Sequence, residues 1–141
     1  TNKTNQFLMM KEGEFCEGGA LNSFGESWNY EGNEFISDMN YKLLGTTINY
    51  LLDNRILVIP DHIKIDVDGI EHLILEGANK YLKNTKIKSL SIEINENFKE
   101  QYNEVLRIMN KNDFKILHKK HNSEMFHEDS QYVTYNYVFV R

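Results

Sequence analysis

Two β-strand patterns with a helical pattern between them occur from residue 62 to residue 94, and this succession constrains the fold most. Residues 62–67 and 87–94 alternate apolar and polar side chains, which predicts two half-buried strands. Residues 71–82 carry apolar side chains at helical spacing. A strand, a helix and a second strand in one short stretch form a βαβ unit, so we expect two parallel strands with a right-handed crossover.

The other elements from residue 41 onward extend this pattern. Thr47 is a candidate N-cap for a short helix that begins at Ile48. The further predicted elements are the helix at residues 98–109 and the strands at 114–118 and 132–140. No helix separates the last two strands, so one of them should be antiparallel. We therefore predict an α/β fold with a mostly parallel sheet and an antiparallel C-terminal strand.

The length of 141 residues suits one domain with a core of its own. Residues 1–40 are rich in Gly, Asn, Ser and Glu, and we predict loops with one or two short strands there, followed by regular α/β structure in residues 41–141. The glycines of EGGALNSFGE do not have the spacing of a dinucleotide-binding loop, so a flexible loop is predicted. Gly77 lies inside a helical pattern, which suggests close packing against a neighbour.

Charge and cysteine content narrow the partners and the compartment. The formal net charge is −5 and the basic residues are scattered, which argues against nucleic acid or an anionic membrane surface as partner. Cys16 is the single cysteine, so it cannot form an internal disulfide and fits a reducing compartment. With no membrane-spanning run and no signal-peptide pattern, we expect a cytoplasmic protein.

Carboxylates follow both strands of the βαβ unit. Asp66 and Asp68 come at the end of the first strand, with Glu71 in the next helical turn, and Glu93 and Glu96 come at the end of the second strand. In open α/β sheets, ligands bind beyond the carboxyl ends of the strands. The sequence therefore predicts that these carboxylates face one crevice.

A purely structural role remains open for several of these residues. Glu71 can complement the helix N-terminus, Asp68 can make a turn, and Lys64 can pair with Asp66 on one strand face. We expect that strand to be buried on both faces between helices. A buried ion pair stabilises a fold poorly, which favours a functional role for Lys64 and Asp66.

Metal binding is the function that the acidic residues support least. An EF-hand loop with Gly69 at its sixth position would place Lys64 first and Leu75 twelfth, where oxygen ligands are needed. A divalent-metal site on Asp66, Asp68 and Glu93 stays open as an alternative, although the pattern does not fix three ligands. We therefore predict no metal site.

The stretch HIKIDVDGIEHLILEGANKYL, followed by SLSIEIN, resembles the C-terminal half of the FkbM-type methyltransferases. The resemblance rests on a strand reading K-x-D-x-[DE]-G-x-E, a helix with a Gly-Ala pair, and a strand ending in Ile-Glu. The matching residues are Lys64, Asp66, Asp68, Gly69, Glu71, Gly77, Ala78, Ile92 and Glu93. The resemblance extends from about residue 19 to the C-terminus.

The resemblance implies a Rossmann-like class I methyltransferase sheet and S-adenosylmethionine as cofactor. The acceptor would be a hydroxyl of a sugar, glycan or polyketide-like molecule. Asp66 or Asp68 would act as base or positioning residue, Glu71 would orient them, and Lys64, Glu93 and Glu96 would contact the substrate.

The first strands of that class, with an acidic glycine-rich loop and a ribose-binding acid, are not found in this sequence. We therefore expect a truncated domain whose acidic strand lies at the edge of the sheet, where its polar face of Lys64, Asp66 and Asp68 would be partly solvated. An exposed edge can pair with another chain. The alternative function is thus a non-catalytic interaction module that forms a homodimer edge to edge.

Overall fold

A computed structural model describes residues 1–14, 17, 20–121 and 133–141 of the chain. Cys16 and the first glycines of EGGALNSFGE lie outside the described residues, as does the start of the strand predicted from residue 132. The described residues form two β-sheets and three helices.

A three-stranded antiparallel sheet occupies the N-terminal region. It contains β1 (Gln6–Glu12), β2 (Ser23–Phe24) and β3 (Met39–Gly45) in the order β2-β1-β3. The sequence predicted one or two short strands before residue 40, and β1 is longer than expected, with seven residues. Its side chains alternate less clearly than those of the later strands, which weakened the sequence pattern.

The second sheet has four strands in the order β4-β5-β7-β6. These are β4 (His62–Ile65), β5 (Ser89–Asn95), β6 (Lys115–Lys120) and β7 (Thr134–Val140). The strands β4 and β5 are parallel, and β7 is antiparallel to both β5 and β6. Three strands therefore share one direction and the C-terminal strand opposes them, as predicted.

The helices are α1 (Ile48–Asp53), α2 (Glu71–Glu76) and α3 (Lys99–Lys111). Thr47 caps α1, because its side chain accepts a hydrogen bond from the backbone N–H of Tyr50 at 3.1 Å. The helix α2 is shorter than predicted, since turns replace it from Gly77 onward. A Cβ at Gly77 would collide with the carbonyl oxygen of Thr1, so the predicted close packing of this glycine is confirmed.

The core lies between the four-stranded sheet and the helices. Its fully buried side chains come from α2, from β5, from α3 and from β7, and include Leu75, Leu90, Ile92, Val105 and Phe139. The three apolar residues of β5 alternate inward and pack under α2 and α3. No helix among the described residues is long and apolar enough to cross a membrane.

Among the described residues β4 is an edge strand, which pairs with β5 on one side only, and this position was expected. The expectation that both of its faces are buried is wrong. The side chains of Lys64 and Asp66 are 66% and 41% exposed. The buried face of β4 ends at Ile65, which joins the core. The polar face is solvated because the described residues place no helix over it.

Candidate functional site

Three carboxylates meet at the carboxyl ends of the parallel strands β4 and β5. Lys64 pairs with Ser91 and Ile65 with Ile92, so the next position, Asp66, comes beside Glu93. Glu93 is within hydrogen-bonding reach of the Asp66 carboxylate and also feels the charge of Asp68. The structure thus brings these three carboxylates together, as expected, but only Asp66 and Asp68 line the same cavity.

A cavity of about 660 Å³ opens beside Asp66 and Asp68. One wall is the end of β4 and the start of α2, and the opposite wall is the three-stranded sheet. The apolar lining residues are Met10, Phe24, Leu43, Leu44, Val67, Ile70 and Ile74. Sites for small molecules typically have volumes of roughly 300–1,000 Å³ and mostly apolar walls with a few polar groups. This cavity has both properties.

Asp66 is held by Lys64 on the exposed face of the edge strand. The ammonium nitrogen of Lys64 is 2.7 Å from a carboxylate oxygen of Asp66. The pair is solvated rather than buried, so the argument from the cost of a buried ion pair does not apply to it. The carboxylate of Asp66 remains accessible from the cavity, because Asp66 helps to line it.

Asp68 is anchored by the loop that precedes β2. The backbone N–H of Asn22 donates a hydrogen bond to the Asp68 carboxylate at 3.0 Å, and the backbone of Leu21 also bonds to it. Burial raises the pKa of Asp68, although these two backbone hydrogen bonds partly oppose the shift. Asp68 is therefore a stronger proton acceptor than an ordinary aspartate.

Glu93 is the third carboxylate of this group. Burial raises its pKa, and the neighbouring Asp66 and Asp68 carboxylates raise it further because like charges disfavour ionisation. Lys64 opposes this shift. Asp66 and Asp68 therefore supply the carboxylates of the cavity wall, while Glu93 and Lys64 lie next to them and do not line the cavity.

Glu71 lies behind these carboxylates and is only 1% exposed. Its carboxyl group accepts hydrogen bonds from the Val67 backbone N–H, at 3.3 Å, and from the Gln101 side chain. Burial raises the pKa of Glu71 to about 8, against the opposing effect of these hydrogen bonds. Glu71 does not line the cavity, and its link to Asp66 and Asp68 is the hydrogen bond to the Val67 backbone, which lies between them.

Gln101 and Asn95 complete this network, and neither was identified from the sequence. The Asn95 backbone N–H donates to the Gln101 side-chain oxygen at 3.1 Å, while the Gln101 amide group donates to Glu71. The network therefore ties the end of β4 to the end of β5 through α3. Gln101 follows Phe98 by three residues and precedes Val105 by four, so its position on the apolar stripe of α3 was the available signal.

The loop between β4 and α2 is covered by the N-terminal region. Gly69 has φ +96°, and a Cβ there would lie 3.0 Å from the Asn29 carbonyl oxygen. The Trp28 indole N–H donates to the Gly69 carbonyl oxygen at 3.3 Å. Trp28 also stacks on the buried His72 ring of α2, with 6.5 Å between the ring centroids. These contacts fix the turn that carries Asp68.

Glu96 does not join the other carboxylates. It accepts hydrogen bonds from Tyr137 of β7 and Lys119 of β6, which lie on the other side of β5 from β4. Burial raises the pKa of Glu96, but the bonds from Lys119 and Tyr137 outweigh this effect and lower it overall. The structure thus brings together Lys64, Asp66, Asp68 and Glu93, backs them with Glu71, and leaves Glu96 apart.

The residues that the structure describes include no group of three His, Cys, Asp or Glu side chains arranged to hold a metal ion. Asp66, Asp68 and Glu93 are close neighbours, but their relation is that of interacting acids, with Lys64 supplying the nearby positive charge.

Comparison with known proteins agrees with the resemblance of the acidic stretch. Residues 17–116, which are 100 of the 141 residues, match the model of the methyltransferase FkbM domain. The match includes β4, α2 and β5 and therefore all the carboxylates of the site. Searches of curated proteins and of solved structures give no match. The family match and the acidic strand ends together show that the chain belongs to the FkbM methyltransferase domain family.

Proposed function

We propose that this domain transfers a methyl group from S-adenosylmethionine to a hydroxyl of a sugar, glycan or polyketide-like acceptor. The observation that carries the proposal is the group of Asp66, Asp68 and Glu93 at the carboxyl ends of two parallel strands, beside a cavity of about 660 Å³. The family match supports a methyltransferase, and the polar groups support an acceptor that carries an O–H.

The cavity fits the proposed cofactor in charge and in size. S-adenosylmethionine has a cationic sulfonium, an ammonium and ribose hydroxyls, all of which carboxylates can bind. Asp66 provides such a group on one wall, and the apolar side chains of the opposite wall can contact the uncharged parts of a ligand. When bound, the cofactor supplies an electrophilic methyl group.

The residues of the chain would orient the acceptor and take its proton. As the acceptor oxygen forms its bond to the methyl carbon, its O–H proton must pass to a base. Asp68 suits this role because it lines the cavity and burial raises its pKa. Asp66 and Glu93 would hold the acceptor hydroxyls through hydrogen bonds, and Lys64 would orient Asp66.

Glu71 would act as a positioning residue in this scheme. Its carboxyl group holds the Val67 backbone, which lies between Asp66 and Asp68, and reaches the end of β5 through Gln101. A reaction that aligns two reactants depends on such fixed positions, since small displacements strongly lower the rate.

Calorimetric titration of the chain with S-adenosylmethionine and S-adenosylhomocysteine tests the cofactor. We expect saturable binding of both, and Phe24→Asp, which places a charge on the apolar wall, should weaken it. The control Phe7→Asp changes an exposed phenylalanine of β1 that does not line the cavity. No binding at concentrations of about 1 mM, at the upper end of ordinary substrate affinities, would contradict the proposal for this chain.

The roles of the aspartates are tested with an acceptor found by screening hydroxyl compounds. Asp68→Asn should lower kcat by about 10²- to 10⁴-fold if Asp68 is the base. The control Asp61→Asn alters an exposed aspartate that pairs with Lys88 and does not line the cavity. Full activity of both Asp66→Asn and Asp68→Asn would exclude the assigned roles.

Edge pairing of two copies is the second candidate function, and the position of β4 favours it. No other described strand pairs with the outer edge of β4, and the strand follows the exposed apolar side chains of Ile56, Leu57 and Val58. Unpaired strand edges bind other strands through backbone hydrogen bonds. Sedimentation velocity should show a dimer that Lys64→Pro disrupts, because the alternation that directs Asp61 and Ile63 towards β5 directs the backbone N–H of Lys64 to the open edge. A monomer at all micromolar concentrations would contradict this candidate.

A further inference from the structure

A second cleft lies at the far ends of α2 and α3 from the carboxylates. Each helix begins near the acidic site, at Glu71 and close to Gln101, and its other end contributes to this cleft. The cleft has a volume of about 530 Å³, and its lining includes the buried side chains of Leu75 and Ile108. It is therefore separate from the cavity beside Asp66 and Asp68.

Three cationic side chains line this cleft, which we name the basic cleft: Lys83, Arg107 and Lys111. Arg107 and Lys111 are four residues apart on α3 and thus lie on one face of the helix. Lys83 comes from the turns that follow α2. Neither Lys83 nor Lys111 forms an ion pair with any residue that the structure describes. Their charges are available to a ligand.

Two carboxylates lie near the basic cleft, and one of them, Glu104, is paired with Arg107. Arg107 bonds to Glu104 through Nε, at 2.8 Å, and through Nη2, which leaves its Nη1 for another acceptor. Glu76 also lines the cleft, and its carboxylate accepts a hydrogen bond from the neutral Asn2 side-chain amide at 2.8 Å. Three cationic side chains therefore face two carboxylates, which leaves one positive charge in excess. Asn79 accepts at Oδ1 from Asn49, so its own amide N–H groups can donate.

The two walls of the basic cleft are held in place by Arg141. Its Nη2 donates to the carbonyl oxygen of Asn112, at 3.3 Å, and to that of Leu82. These carbonyls belong to the residues next to Lys111 and Lys83. The Arg141 guanidinium also lies over the Phe114 ring, 4.2 Å from its centroid. Arg141 thus fixes the backbone positions from which the two lysines extend.

We propose that the basic cleft binds the phosphate group of a small phosphorylated molecule. Two ammonium groups without ion pairs and one open edge of a guanidinium can form several charge-assisted hydrogen bonds to a phosphate. The volume leaves room for an organic part beyond the phosphate, which the slightly exposed side chain of Ile108 can contact. The formal net charge of −5 repels anions at long range, so the attraction is local to the cleft.

NMR titration of the ¹⁵N-labelled chain tests this site without any methyl transfer. The probes are glucose 6-phosphate, inorganic phosphate and glucose, at constant ionic strength. We expect saturable shifts of the amides of Asn79, Lys83, Arg107 and Lys111 with both phosphates, tighter binding of glucose 6-phosphate, and no shifts with glucose. Shifts spread over all the lysines, or no saturation with either phosphate, would overturn the proposal.

A pair of charge-matched variants separates the cleft from general surface charge. The double variant Lys83→Gln and Lys111→Gln should weaken glucose 6-phosphate binding by about tenfold or more, because it removes two charge-assisted contacts. The control double variant Lys42→Gln and Lys120→Gln removes two exposed lysines outside the cleft and should change binding by less than about twofold. Equal weakening in both would overturn the proposal. Both results are independent of whether the acidic site binds S-adenosylmethionine.

Discussion

The two sheets of this protein differ in how completely they bury their apolar side chains. In the four-stranded sheet, β5 lies between β4 and β7, and its apolar residues Leu90, Ile92 and Ile94 are fully buried. In the three-stranded sheet, Leu8 is buried, but Phe7 is 71% exposed and Leu44 is largely exposed. The four-stranded sheet therefore has a core of its own, whereas the three-stranded sheet depends largely on its contacts with the rest of the chain.

The difference teaches where the site obtains its rigidity. The four-stranded sheet supplies the carboxylates, and α3 fixes their backbone through Gln101. The three-stranded sheet and its loops supply the opposite wall and the backbone N–H of Asn22 that holds Asp68. The cavity therefore lies between the well-buried four-stranded sheet and the weakly buried three-stranded sheet. Ligand binding should stabilise the three-stranded sheet more.

The comparison of the sheets is tested most strongly by two phenylalanines. Phe139 of β7 is 1% exposed and Phe7 of β1 is 71% exposed. Phe139→Ala should lower the free energy of unfolding by about 3–5 kcal/mol, because it opens a cavity in the core. Phe7→Ala should change it by less than about 0.5 kcal/mol. Urea denaturation measures both, and equal losses would show that the two sheets share one core.

The buried carboxyl group of Glu71 should make the free energy of unfolding depend on pH. Burial raises its pKa from 4.5 to about 8, so the folded chain holds a proton that the unfolded chain releases. Its contribution to stability is present below pH 4.5 and is lost as the pH rises towards 8. The wild-type free energy of unfolding should fall by up to about 1.4 kcal/mol per pH unit in this window relative to Glu71→Gln.

For Glu71→Gln we compare how steeply the free energy of unfolding changes with pH, rather than its absolute value. The amide N–H group of the new glutamine faces the N–H donor of Gln101, which lowers the stability of the variant at every pH. Leu75→Val is an uncharged change in the same helix, and it should lower the curve without altering its slope. Urea denaturation from pH 5 to pH 8 gives these profiles. Parallel profiles for the wild type and Glu71→Gln would show that Glu71 is ionised in the folded chain.

The sequence predicted the four-stranded region well because its patterns are local and regular. The alternation in β5 and the helical spacing in α3 both persist in the structure, and Asp66, Asp68 and Glu93 meet as expected. Hydrogen bonds between distant segments leave no such period. The Asn22 contact to Asp68 spans 46 residues, and the Gln101 contact to Glu71 spans 30.

The N-terminal sheet was harder to predict for a related reason. Its strand β3 is exposed along most of its length, so it has no clear alternation of buried and exposed positions. The polar face of β4 was interpreted as buried because a strand between helices usually is. The strand order confirms the other expectation, that β4 lies at the edge, and Lys64 and Asp66 are solvated there.

Gly69 tests the contact between the two regions. Its φ of +96° is unfavourable for other residues, and an added Cβ would press on the Asn29 carbonyl oxygen and on Tyr30. Gly69→Ala should lower the free energy of unfolding by about 1–3 kcal/mol and displace the Trp28 loop, measured by Trp28 fluorescence. The control Gly13→Ala has no heavy atom within 4 Å of the new Cβ. Equal stability of both variants would mean that the regions are not tightly joined.

The smallest effect is expected at the exposed edge of the stable sheet. Lys64 and Asp66 form an ion pair at 2.7 Å, but both side chains are solvated. Exposed pairs contribute little, so Lys64→Gln should change the free energy of unfolding by less than about 1 kcal/mol, and salt should reduce this difference. Lys42→Gln on β3 is the control, an exposed lysine without an ion pair to the described residues.

A larger loss for Lys64→Gln would mean that the edge of β4 is covered in solution, because removing one partner of a buried pair leaves an uncompensated charge. Repeating the measurement over a range of protein concentrations separates the two cases. A loss that grows with concentration indicates pairing of two copies along β4. A small loss at every concentration leaves the Lys64–Asp66 pair accessible to a ligand, as the proposed acceptor site requires.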